Sequence, residues 1–572
     1  MNALRYSYIA MKKLLVIISI ILISCFLIQG NVAAINTSLP NNIYGIHVAT
    51  PSKEELEDAA KLVNSSGGSW GYVTVVIQEN DRDLKKWQEA FDRMRRLRLI
   101  PIVRLATRPS GSNWKKGSKE ELSSWITFLQ SLRWVVKDRY VILFNEPNHA
   151  REWGGELNPE EYGEVASAYL TELHKTGSGY VVMIAGMDIA AASNGEDMDA
   201  FEYYHRLAVA HPELLQQIDA LSSHAYPNPG FSGSPYATGR LSILGYSWEL
   251  ELLKSLGVSK ELPVFITETG WTHNGTDTSQ IADKFRTAFT LWKNDARIRA
   301  VTPFILSYQG EPFLRFSWQK LQSREFYDQY HTVQSMEKTR GEPEQRQTGE
   351  IKLALPDNLL EQSSYHLQVS LANSGQASWT RDDGYVLRIQ PDKGIEYFTD
   401  DLTGIEPATE KQVSFYIKTA VTGAQNYWFE LIRNNKVILK SRPWSFRVLP
   451  LPDLTVTTSL LPRLRGVSDR TFEVQVFNYQ DELVYKESGL HMKDGRLSVK
   501  RVRNVYLGGT FRVVVLTKYF LPRQSFVVFR QRSNNITVKP LLPLDFDTDG
   551  RLSWGDVSAI LQNPRLLRLL LP

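Results

Sequence analysis

Two glutamates in this chain sit where apolar runs stop. Glu146 closes Tyr140-Val141-Ile142-Leu143-Phe144-Asn145-Glu146-Pro147-Asn148, and Glu268 closes Leu262-Pro263-Val264-Phe265-Ile266-Thr267-Glu268-Thr269-Gly270-Trp271. Unbroken runs rich in β-branched and aromatic residues predict parallel strands buried on both faces. Pro147 lacks a ladder donor and ends the first of them. A lone glutamate there would simply be a charge leaving the core. Two of them, in the same pattern, suit a displacement in which one carboxyl gives a proton to a leaving oxygen and the other attacks carbon.

Glycoside hydrolysis needs that pair. Asn-Glu-Pro at the end of one strand and Ile-Thr-Glu-Thr-Gly-Trp three strands later resemble the clan A glycoside hydrolases, whose (β/α)8 barrels carry these glutamates on strands four and seven. The resemblance spans roughly residues 41–334. It implies a retaining enzyme acting by double displacement, with Glu146 as acid/base, Glu268 as nucleophile and a β-linked polysaccharide as substrate. The acid must hold a proton while the nucleophile stays ionised, so their surroundings must differ.

Candidate helpers lie at other strand ends. Asn145 offers an amide to a sugar hydroxyl. Arg104 stands where related families place an arginine that keeps the nucleophile charged. His224 and Tyr226 match a His-x-Tyr found in some of these families before the nucleophile strand, Tyr226 to bond Glu268 and His224 to contact sugar. Trp271, Trp153 and Tyr308 fall on loops after strands, where rings either stack on sugars or pack in the core. His47 ends the first strand and reads equally as structural. No phosphate-cradling glycine loop, zinc-spaced histidine cluster or serine nucleophile elbow is present, and the chemistry calls for no cofactor.

The elements that must position these groups recur every few tens of residues. Strands are predicted at 42–48, 70–77, 99–105, 140–144, 180–184, 218–223, 262–268 and 300–306. Helices fall between them, including 54–62, opened by a Ser52/Glu55 capping box, and 84–97, with Trp87, Phe91 and Met94 on one face. A second capping box, Ser118/Glu121, and an Asn158 cap followed by Pro159 open two more. Eight such units predict an α/β fold of the (β/α)8 TIM-barrel class over 41–335, with both glutamates at the active C-terminal rim.

Beyond the barrel the pattern changes. Residues 336–350 are polar and aperiodic, which predicts a linker. Short alternating strands over 351–449 and 453–540, separated by Pro450-Leu451-Pro452, predict two all-β sandwich domains. The run from Asn373 to Trp379, with Trp428 and Trp444, weakly resembles four-tryptophan immunoglobulin-like domains, although indoles so placed also serve as core. In 544–563, Asp545, Asp547, Asp549, Gly550, Arg551 and Asp556 occupy positions 1, 3, 5, 6, 7 and 12 of a calcium loop. The segment is similar to half of a dockerin, an EF-hand-like tail. Dockerins pair two loops and this chain has one, so a structural Ca2+ fits better than a cohesin partner.

Composition narrows the rest. With 66 basic and 62 acidic residues the formal charge is +4, which makes no case for nucleic acid. The single cysteine, Cys25, lies in the apolar N-terminal run, so the remainder supports neither a disulfide framework nor a thiolate metal site. Arg5, Lys12 and Lys13 precede that run, and Val32-Ala33-Ala34 follow it. Residues 1–35 therefore read first as a cleaved export signal, then as an uncleaved membrane anchor, then as a lipoprotein signal around Cys25. Each places the protein outside the cytoplasm, secreted or on the cell surface. The competing reading of the whole chain is a non-catalytic carbohydrate-binding or attachment protein on a hydrolase-like barrel.

Overall fold

A computed structural model describes residues 36–273, 275, 278–391, 395–399, 402–461 and 470–570. The N-terminal export or anchor segment, with Cys25, lies outside the described residues. No helix among the described residues is long and apolar enough to cross a membrane. The chain divides into two compact units, 1–346 and 347–572.

The first unit is mixed α/β. Its strands are β1 (Gly45–Val48), β2 (Gly71–Gln78), β3 (Leu99–Ala106), β4 (Arg139–Leu143), β5 (Tyr180–Ile184), β6 (Leu221–His224), β7 (Val264–Glu268) and β8 (Ile298–Val301). β1 to β5 form one parallel sheet in sequence order, and β6 to β8 form another. Single parallel bridges, Tyr44 with Val301 and Asp188 with His224, join the edges of the two sheets. Tyr72, Tyr140 and Phe265, from β2, β4 and β7, meet ring to ring at 5.0–6.2 Å. Such contacts need strands from both sheets to face one interior.

Helices follow the strands because their apolar residues recur on one face. In α2 (Leu84–Arg96) Trp87, Ala90, Phe91 and Met94 are buried, and Asp83 caps the first turn by accepting from Lys85 and Lys86. In α4 (Pro159–Lys175) Asn158 accepts from the Glu161 N–H with Pro159 in the first turn, as its sequence predicts.

Several boundaries differ from expectation. β8 ends at Val301 rather than reaching Leu306, because Thr302 turns its hydroxyl to the Thr267 carbonyl and Thr74. β6 begins at Leu221, later than 218, after a short helix, Pro212–Gln217. Ser52 caps α1 (Lys53–Val63), but the Glu55 carboxylate bonds the N–H groups of Ala49 and Thr50 instead of closing the box. The Ser118/Glu121 box does not form: α3 (Leu122–Ser131) starts at Leu122, and Glu121 pairs with Arg82 at 2.6 Å. The stretch read as a linker belongs to the first unit as far as Arg346. Gly341 bonds Ser69, Glu342 bonds Pro40, and the buried Lys338 ammonium donates to the Val333 and Met336 carbonyls. Polar sequence there reflects backbone and side-chain bonding along the edge of the unit, not freedom.

The second unit is built of β-sheets. Over 349–449, a sheet of four strands and one of five bury a common core around Trp379, Phe415, Phe429 and Trp444. Over 453–537, sheets of three and four strands enclose Leu454, Val474, Val513 and Phe529. Strand polarity alternates cleanly, as in Tyr385–Gln390, where every second residue is buried. Trp379 and Trp444 are core, while Trp428 stands on the outer side beneath Lys440. The tail carries a helix, Trp554–Gln562.

Candidate active site

Glu268 is the last residue of β7 and is buried. Arg104, near the end of β3, donates to Glu268 and, at 2.7 Å, to the Asn145 Oδ1. Tyr226 donates its hydroxyl to Glu268 Oε2 at 3.0 Å. His224, at the tip of β6, lies with Nδ1 2.8 Å from Glu146 Oε1 and 3.8 Å from Glu268 Oε2. One oxygen from each glutamate and a ring nitrogen of His224 all lie within 4.8 Å of one another.

The backbone is bent to present Glu146. Phe144 and Glu146 have φ of 72° and 30°, a left-handed region that costs non-glycine residues energy and clusters at functional sites. Close packing holds the neighbours. A Cβ on Gly186 would sit 2.3 Å from His224 Cδ2, so glycine leaves the space the imidazole fills.

Electrostatics separate the groups. Burial alone would raise the Glu268 carboxyl, yet His224 and Arg104 beside it hold it well below the usual carboxylate range. Burial likewise opposes charge on His224, and the two glutamates nevertheless raise it above an ordinary histidine. His149, three residues past Glu146, is pushed up to about 9: burial lowers it, but Asp188, Glu146 and Asp197 outweigh that. Its Nδ1 is 2.6 Å from Asp197, and its Nε2 is 3.2 Å from Asp188 and 4.0 Å from Glu146.

Arg104, Asn145, Glu146, His149, Tyr226 and Glu268 line a cavity of about 410 Å3, within the range of ligand sites. His47, Tyr308 and Trp153 also line it, with Phe231, Phe313 and Phe316. The sequence-predicted set thus comes together, with three corrections. His224, expected to contact sugar, is buried behind Glu146, to which it bonds, and does not line the cavity. Trp153 is buried, wedged edge-on against Phe144 and Tyr162 with its N–H on Glu161. Trp271 is buried against Phe285 with its N–H on the Gly233 carbonyl. Both indoles pack, because neighbouring helix residues cover their faces. The accessible rings are Tyr308, already singled out from the sequence, and Phe231 and Phe313, on loops without a strand or helix period to flag them. His149 and Glu152, which accepts from the Asn145 amide at 3.3 Å, were also missed, though spacing of three and six from Glu146 was a usable signal.

In the tail, one oxygen from each of Asp545, Asp547 and Asp549 lies within 4.8 Å of the others. The Gly550 N–H, at φ 83°, donates to Asp545, and the Arg551 N–H donates to Asp549. Asp556 adjoins the cluster, its carboxylate accepting from the Asp547 N–H at 3.4 Å. The same carboxylate accepts from the N–H groups of Phe546 and Ser553 and caps the Trp554–Gln562 helix.

No family model and no curated protein matches this chain. Solved structures do. An endo-β-1,4-glucanase from Xanthomonas axonopodis pv. citri is 14% identical, covering 51% of this chain and 98% of its own, with a TM-score of 0.37. A subgroup II family 128 endo-β-1,3-glucanase from Pseudomonas viridiflava is 15% identical, covering 51% and 97%, at 0.34. A family 39 glycoside hydrolase from Bacteroides cellulosilyticus is 12% identical, covering 68% and 82%, at 0.37. All three are glycoside hydrolases.

Proposed function

We propose that this protein is a retaining glycoside hydrolase acting on a β-linked polysaccharide. The observation that carries this is the spacing of Glu146 and Glu268, whose carboxylate oxygens approach within 4.8 Å. Retaining enzymes place their carboxyl groups about 5–5.5 Å apart, whereas inverting ones need room for a water between them. Glu268, kept ionised by Arg104 and His224, attacks the anomeric carbon. Glu146 gives its proton to the departing glycosidic oxygen, then takes one from the water that releases the sugar. Tyr226 and Arg104 fix the attacking carboxylate, and Asn145 is turned toward the same cavity by its bonds to Arg104 and Glu152. A barrel that only bound sugar would need no such pairing.

The same proposal extends to the architecture. The two edge bridges and the shared aromatic interior support a closed (β/α)8 barrel. The paired sheets support two β-sandwiches. Asp545, Asp547, Asp549 and Asp556, with the Arg551 backbone carbonyl at position 7, would hold a structural Ca2+, with hard oxygens suited to it. The N-terminal segment would carry the protein out of the cytoplasm by export.

The test is a panel of β-glucans, mannans, xylans and exopolysaccharides, with the anomeric configuration of the first product read by NMR. Retention of configuration is expected. Inversion would remove the nucleophile role of Glu268, and binding of a glycan without cleavage would favour the attachment reading.

A further inference from the structure

His47 is 2% exposed, and neither ring nitrogen has a hydrogen-bond partner among the described residues. Buried polar atoms nearly always have partners, and leaving one without costs about 1–3 kcal/mol. His47 leaves two. Its backbone is fixed on both sides: the N–H donates to the Pro303 carbonyl at 3.0 Å, and its own carbonyl accepts from Leu306 at 2.9 Å. The ring packs edge-on against Phe304 at 5.0 Å, so it does not reach a partner by turning freely. It lines the same cavity as Arg104, Glu146 and Glu268.

Charge offers no escape. Burial, and then Arg104, push the imidazole down to about 3, so the ring is neutral wherever an enzyme of this kind would operate. A neutral imidazole presents one donor and one acceptor. A hydroxyl matches either atom, since it both donates and accepts. A carboxylate or sulfate matches only the donor, and an ester or ether oxygen only accepts.

We propose that His47 is a ligand for a ring hydroxyl of the sugar seated beside Glu268. It selects a unit whose hydroxyl on that side is free, not acylated, alkylated, sulfated or reduced to hydrogen. This rests on the glycoside hydrolase reading and names a specificity determinant within it. The physical basis is asymmetric: a site built to bond a hydroxyl strongly rejects the analogue that lacks it, because the buried partner is left unpaired.

The experiment is a double-mutant cycle across protein and substrate. 4-Nitrophenyl β-D-glucoside and β-D-mannoside, and versions with each ring hydroxyl replaced in turn by hydrogen, are tried on wild type, His47→Ala and His47→Gln. For one position, wild type should lose about 100-fold or more in kcat/KM. His47→Ala should be slow on the parent glycoside but lose less than about 5-fold on that analogue, and His47→Gln should restore part of the discrimination. Far-ultraviolet circular dichroism and thermal unfolding of the variants separate folding damage from lost recognition. The same glycosides are titrated calorimetrically against Glu268→Gln, with and without His47→Ala, so that coupling is read in affinity as well. Equal losses in wild type and His47→Ala at every position would overturn the proposal, since His47 would then hold only water. Coupling in affinity without cleavage would keep the His47 assignment and remove the hydrolase reading. Neither binding nor cleavage would remove both.

Discussion

Nδ1 of His224 stands 2.8 Å from an oxygen of Glu146 and 3.8 Å from one of Glu268, so a single imidazole bonds the first carboxylate and lies within ion-pair range of the second. Glu268 receives its hydrogen bonds from Arg104 and Tyr226 instead. That asymmetry underlies the unequal jobs proposed for the pair.

Replacing each glutamate should separate those jobs. Glu268→Ala is expected to abolish turnover on every substrate, because nothing remains to trap the glycosyl intermediate. Glu146→Ala should lose about 10²–10⁴-fold on a natural leaving group and far less on an activated aryl leaving group, which needs no proton. Azide should rescue Glu146→Ala and give a product of retained configuration. Rescue with inverted product would instead identify azide as replacing a lost nucleophile.

Tyr226→Phe removes one hydroxyl and little else. The lost bond to the Glu268 charge should cost about 1.5–3 kcal/mol in transition-state terms, seen mainly in kcat. A change confined to KM would place Tyr226 on the sugar rather than on the nucleophile.

Gly186 predicts a steric effect. Its alanine variant would put Cβ 2.3 Å from the His224 ring. The imidazole must shift, so activity should fall by well over 10-fold while the melting temperature drops by only the few degrees expected of about 1–3 kcal/mol of overpacking. Gly177 is the control, because a Cβ added there would meet nothing within 4 Å although its φ is 61°. Gly177→Ala should affect stability alone.

His149 should make stability depend on alkaline pH. Its folded value is raised to about 9 against about 6.5 unfolded. The raised value means the stabilisation is fully present below the unfolded value and is lost as pH rises through the folded one. Thermal unfolding of wild type should therefore decline between about pH 6.5 and 9 more steeply than that of His149→Gln. Parallel curves would show that the Asp188 and Asp197 contacts do not tune this ring.

The tail gives a metal prediction. Chelator should increase proteolysis near residues 545–556, and added Ca2+ should reverse it. Asp547→Ala should abolish the difference. Cleavage indifferent to both chelator and Ca2+ would mark the loop as non-binding.

Much of the site was already written in the sequence. Glu146, Glu268 and Arg104 are legible because a buried parallel strand has few ways to carry charge, and its end is where charge first becomes tolerable. The two-residue period of the second unit is legible for the same reason, since every second side chain must be apolar. What the sequence could not decide was which polar and aromatic groups are left over once packing is complete. Trp153 and Trp271 look identical to sugar platforms until Tyr162 and Phe285 cover them. Asp556, at the last position of the expected calcium loop, accepts from the Phe546 and Ser553 N–H groups, partners that spacing does not reveal. His149 acquires its charge from Asp188 and Asp197, about forty to fifty residues away. His47 becomes informative only when its surroundings are known to leave both nitrogens unpaired. Residue types and periods set the strands and the charges they carry; long-range packing decided which atoms were left facing the cavity.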